Sequence, residues 1–125
     1  MIKNIIFDFD GVIVDSEILA GQAFSCYLSK KNIHFTELEY SKTYAGNKYI
    51  DVVSKLSSLY NIEDKKTFFN DVMTISKSFF NTELMAVNGI KNFLDTIQHK
   101  VFIASNSDKQ RILEGLLTVN LNNYF

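Results

Sequence analysis

The sequence predicts an α/β protein, a parallel sheet flanked by helices with a helical segment inserted after the first strand. Residues 3–9 and 101–104 are short apolar runs rich in Ile, Phe and Val with little alternation, as in strands buried on both faces. Elsewhere the apolar residues recur every three or four positions, the period of an amphipathic helix. At 125 residues, 46% hydrophobic and 22% charged, the chain has the length and balance of about one globular domain.

The elements follow in order. After the first strand, Ile18, Leu19, Phe24, Tyr27 and Leu28 form one broad helical face from 16 to about 32, with Asp15 placed as a cap. Thr36 followed by Glu39 has the spacing of a capping box and opens a short helix ending near Gly46. Two longer helices are marked by Ile50, Val53, Leu56 and Tyr60, then by Phe68, Phe69, Val72, Met73, Phe79 and Phe80. These aromatics read as core rather than as a ligand cage. Asn88-Gly89 signals a turn, after which Ile90, Phe93, Leu94 and Ile97 lead into the second strand. "SNS" at 105–107 closes that strand, and Ile112, Leu113, Leu116 and Leu117 mark the last helix. Repeats and low-complexity tracts are absent. With no proline to punctuate linkers, boundaries rest on the switches between strand and helix period.

A formal net charge of -1 and a pI near 6.1 provide no broad basic field, which argues against nucleic acid or an anionic membrane surface as partner. Small molecules are the expected ligands. The lone Cys26 allows no intramolecular disulfide and reads as a small buried hydrophobe, so a reducing compartment, by default the cytoplasm, is expected. The N-terminal apolar stretch is broken by Asp8 and Asp10 and lacks a small-residue cleavage site, unlike a signal peptide or a membrane span.

Those two aspartates carry the chemistry. Side chains alternate along a strand, so Asp8 and Asp10 share a side where the first strand meets its loop, while Phe9 faces away. Ligands of open α/β sheets bind beyond the carboxyl ends of strands, where Ser105 also lies. Two close carboxylates repel unless a cation lies between them or one holds a proton, and both arrangements suit phosphoryl transfer with Mg²⁺. In such a pair one aspartate can attack phosphorus, and the other can protonate the leaving oxygen and later activate water. Gly11 lets backbone amides approach phosphate oxygens. Other readings fit the same residues. Asp-Gly between apolar runs also matches a β-hairpin turn, the carboxylates also fit an unrelated solvated pair, and Ser105 with Asn106 and Asp108 also fits a turn or helix cap.

"FDFDGVIVDSE", residues 7–17, resembles the first motif of the haloacid dehalogenase superfamily in its phosphatase branch, and "VFIASNS", residues 101–107, resembles the second. The helical stretch between them is similar in size and position to that family's small α-helical cap. The resemblance implies a Rossmann-like core with an incomplete parallel sheet at 1–14 and 84–125, and a cap at 15–83. It implies Asp8 as the nucleophile that becomes an aspartyl phosphate and Asp10 as general acid/base. Both serve Mg²⁺, Asp10 through its backbone carbonyl. Ser105 and Asn106 contact phosphate, with Gly11 beside it. Asp10, two residues after the nucleophile, points to phosphatase or phosphomutase chemistry. Lys48, in "YAGNKYIDV", sits where such caps present a basic residue to substrate; an exposed lysine early in a helix is also commonly only solvated. The implied substrate is a small phosphorylated metabolite of sugar-phosphate type, as for phosphoglycolate, β-phosphoglucomutase-like and 6-phosphogluconate phosphatase-like relatives.

The family's third motif, a lysine, and its fourth, an acidic pair, have no counterpart here: after Asn106 the acids are Asp108 and Glu114, and Lys109 follows the second motif too closely. Their loss removes charge stabilisation on which phosphoryl transfer depends, so reduced activity is expected. An inactive remnant or binding module is the reading from a different class. The short sheet also predicts an open strand edge, marginal stability and self-association.

Overall fold

The computed structural model describes residues 1–125. Strands β1 (Asn4–Phe7) and β2 (Lys100–Ile103) pair in parallel as a two-stranded sheet, with Ile6 opposite Phe102 and Phe7 opposite Ile103. Between them come α1 (Glu17–Lys30), α2 (Glu37–Thr43), α3 (Tyr49–Tyr60), α4 (Lys65–Thr82) and α5 (Ile90–Thr96); α6 (Lys109–Thr118) and a 3-10 turn (Asn122–Tyr124) follow. The chain divides into two units, Met1–Ser16 with Phe80–Phe125, and Glu17–Phe79.

The Glu17–Phe79 unit is helical and packs around aromatic rings. Phe24 stacks on Tyr40 and meets Phe68 edge-on, while Tyr27 stacks on Phe68 with centroids 4.4 Å apart. Val52, Val53, Leu56 and Val72 complete this core. Burying a side chain of this size contributes about 1.5–3 kcal/mol, so the helical period of the apolar residues is what assembles the unit. Ile18, Ile50 and Met73, expected on the same faces, are exposed. Thr36 caps α2, its Oγ1 accepting from the Glu39 N–H at 3.1 Å. Cys26 is partly exposed rather than buried.

The other unit centres on Phe9, Ile13 and Val14, all fully buried, together with Phe80, Leu84, Leu94, Leu116 and Leu121. Its two strands correct the expectation of burial on both faces. The pleat sends Ile6 and Phe102 to one face, which nothing in the chain covers, leaving them 68% and 49% exposed, while Ile5, Phe7, Val101 and Ile103 are half-buried. The hairpin alternative is also excluded, since β1 takes β2 as its neighbour and residues 12–14 turn back on the Phe9 carbonyl.

Candidate active site

The loop after β1 is a tight knot. The Phe9 carbonyl accepts the N–H groups of Val12, Ile13 and Val14, and the Gly11 N–H donates to the Val14 carbonyl at 2.8 Å. Gly11 has φ +77°, a left-handed conformation that its missing Cβ makes accessible, and open space lies where a Cβ would be. Its own amide is used within the turn, so it is the shape of the turn that Gly11 supplies here. The Asp15 N–H donates to the Met85 carbonyl and the Val87 N–H to the Ile13 carbonyl, tying the loop to the segment before α5.

With Phe9 as the buried anchor, Asp8 and Asp10 are held at the end of β1 in different surroundings. Asp8 is exposed, and its Oδ1 accepts the Phe9 N–H at 2.7 Å. Asp10 is half-buried, and four hydrogen bonds converge on its carboxylate. Oδ1 accepts Ser16 Oγ at 2.7 Å and Arg111 Nη1 at 2.8 Å; Oδ2 accepts Ser107 Oγ at 2.8 Å and the same Nη1 at 3.0 Å. Burial raises the Asp10 pKa, but the hydrogen bonds from Arg111, Ser16 and Ser107 and the guanidinium charge outweigh it and hold the carboxyl below its usual value.

Arg111 reaches this position from α6. Asp108 caps that helix, its Oδ1 accepting the Arg111 N–H at 2.9 Å, and the guanidinium lies over the Phe80 ring with its carbon 4.3 Å from the centroid. One turn further on, Gly115 lets α6 approach the loop: a Cβ there would lie 2.7 Å from Phe9 Cζ and 2.9 Å from Phe80 Cζ.

Of the residues expected at the site, Asp8, Asp10, Gly11, Ser105 and Asn106 are gathered where β1 and β2 end, Ala104 donating its N–H to the Phe7 carbonyl. Ser105 closes a local turn, its Oγ accepting the Ser107 N–H at 3.0 Å, and Ser107 is the serine that reaches Asp10. Asn106 is exposed. Lys48 belongs to the helical unit, where it is exposed at the residue before α3. Sequence reasoning passed over Ser16, Ser107 and Arg111. One signal was available: Arg111 is the only arginine among 13 basic residues, four positions after Ser107 at the start of a helix.

The donor set bears on Mg²⁺. The Asp10 side-chain oxygens are already engaged, leaving the exposed Asp8 carboxylate and the Asp10 main-chain carbonyl as donors. No group of three or more His, Cys, Asp or Glu side chains is gathered to hold a metal. Mg²⁺ commonly uses one or two carboxylates and completes its shell with water and substrate phosphate, so these two oxygens fit it.

Comparison with known proteins gives a consistent picture. Residues 5–125 match the model of the haloacid dehalogenase-like hydrolase family. A 6-phosphogluconate phosphatase of Escherichia coli (strain K12) is 25% identical over 125 residues, covering 99% of this chain and 57% of that protein. The crystal structure of a conserved haloacid dehalogenase-like protein of unknown function from Agrobacterium tumefaciens superposes with a TM-score of 0.86 at 27% identity, covering all of this chain and 56% of that one. A haloacid dehalogenase family hydrolase from Deinococcus radiodurans, solved with bound phosphate and sodium, shares the fold at a TM-score of 0.81 and 22% identity, with 98% and 54% covered. The chain thus spans about half the length of the relatives it matches. By its match from Ile5 to Phe125, the chain belongs to the haloacid dehalogenase-like hydrolase family.

Proposed function

We propose that this chain contributes the two-aspartate part of a Mg²⁺-dependent phosphomonoester hydrolase acting on a small phosphorylated metabolite of sugar-phosphate type. The observation that carries the reading is the contrast between the two carboxylates at the end of β1. Asp8 is exposed and open to a substrate, whereas Asp10 is fixed by four hydrogen bonds.

An Asp8 oxygen attacks phosphorus and forms an acyl phosphate as the bond to the leaving oxygen breaks, and that oxygen takes up a proton from solvent water. Water then attacks phosphorus, gives up a proton to the base, and the acyl phosphate opens to inorganic phosphate and free Asp8. Asp10 is the base, its ionised carboxylate taking the water proton once the water has replaced one of its four hydrogen bonds. Mg²⁺ bound by the Asp8 carboxylate and the Asp10 carbonyl would supply charge neutralisation between carboxylate and phosphate. Residues 17–79 serve as the cap, with Lys48 as its basic contact to substrate, and Ser105, Asn106 and the Gly11 turn line the phosphate.

The test is release of inorganic phosphate from p-nitrophenyl phosphate, with and without added Mg²⁺, by the wild type and Asp8→Asn. Turnover should need Mg²⁺ and fall at least about a thousandfold in the variant. Equal turnover by both proteins would overturn the assignment, and equal silence would favour a binding module. Transfer from a sugar bisphosphate without net phosphate release would identify a mutase instead.

A further inference from the structure

We propose that Arg111 is a positioning residue, which holds the Asp10 carboxylate in one orientation from the first turn of α6. The reaction it would serve rests on the hydrolase reading above; the geometry does not.

An ionised carboxylate has about four lone-pair sites, and at Asp10 four hydrogen bonds fill them, two on each oxygen. Arg111 makes two of these, and its Nη1 also donates to Ser107 Oγ at 3.0 Å, so the guanidinium orders both the carboxylate and one of its other donors. The guanidinium is itself held. Its charge lies over the face of Phe80, an attraction that strengthens with desolvation, and its helix is seated against Phe9 through Gly115. Arg111 and Gly115 are four residues apart and therefore share one face of α6. That face presents a cation to Asp10 and a gap to Phe9, the residue between the two aspartates. An arginine suits this place better than a lysine, because its planar guanidinium lies over the Phe80 ring while Nη1 reaches both Asp10 oxygens.

The same arrangement sets what Arg111 does for a reaction at Asp10. A base displaced by about 1 Å loses on the order of a hundredfold in rate, and no other single residue reaches both Asp10 oxygens. Ser16 and Ser107 each reach a single oxygen.

The experiment uses the full chain at pH 7 and two readouts. Three-bond couplings from the Asp10 carboxyl carbon to its backbone nitrogen and carbonyl carbon report whether χ1 occupies one rotamer. In the wild type they should report one, in Arg111→Ala an average of several, and in Arg111→Lys an intermediate mixture. Should Arg111→Ala not fold, Arg111→Lys decides by the same criterion. Steady-state hydrolysis of p-nitrophenyl phosphate should show kcat lowered about 10- to 100-fold in Arg111→Ala with KM nearly unchanged, partly restored in Arg111→Lys. A single Asp10 rotamer retained without Arg111, or averaging already present in the wild type, overturns the proposal. So does a kcat unaffected by Arg111→Ala in an active wild type. A wild type without turnover counts against the hydrolase reading alone, and the couplings then decide on Arg111.

Discussion

Asp10 shows how surroundings decide the role of a carboxylate. Burial by itself pushes its proton affinity up, yet the donors from Arg111, Ser16 and Ser107 reverse the sign and hold it below the ordinary 3.8. The folded chain therefore binds this proton less readily than the unfolded chain. Stability from the ionised group is present above the unfolded value and is lost as pH falls through the folded one. The stability difference between wild type and Asp10→Asn, from urea midpoints, should be constant from about pH 7 to 5 and shrink as pH drops below about 4. A difference that persists unchanged into strong acid would contradict the arrangement described. In the sequence Asp10 was legible as a candidate residue, because a DxDG pattern at a strand end is local. Its partners were not, since Ser107 and Arg111 lie 97 and 101 residues away and only the fold brings them near.

At the scale of an element, α6 joins the second strand to the first motif. Its apolar pattern alone predicts a helix with Leu113 and Leu117 inside, yet these are 45% and 60% exposed while Gly115 and Leu116 are buried. The helix turns its smallest residue toward the loop because Phe9 and Phe80 occupy the space a larger one would need. Gly115→Ala gains about 1 kcal/mol of helix propensity but forces two packed rings aside, which commonly costs about 1–3 kcal/mol. The expected outcome is a net loss on the order of 1 kcal/mol in urea denaturation, accompanied by weaker seating of Arg111, whose guanidinium rests on the displaced Phe80 ring. A stabilised variant would mean that α6 does not press on Phe9.

For the whole molecule, the sheet is the exposed part. Two strands leave both outer edges unpaired, and the Ile6–Phe102 pair faces outward. An apolar face beside a free strand edge is a template for pairing with another chain. We therefore expect concentration-dependent self-association in sedimentation velocity, reduced by Ile6→Lys, which places a charge on that face without touching the buried core. A wild type that remains monomeric at all concentrations would refute this. No helix of the chain is long and apolar enough to cross a membrane, in line with its interrupted apolar runs.

Local chemistry alone specified much of this protein: the helical periods, the Thr36 cap, a first strand within residues 3–9, and the pair of aspartates at its end, all set by residues within a few positions of one another. Tertiary structure decided the rest. It ruled out the hairpin at Asp10-Gly11 by giving β1 a parallel partner almost a hundred residues away, and it left one face of each strand open because exposure depends on what packs above, which a strand's own sequence does not encode. It also selected Ser107 over Ser105 and brought the single arginine onto Asp10, since a hydrogen bond is satisfied by distance and direction rather than by order along the chain.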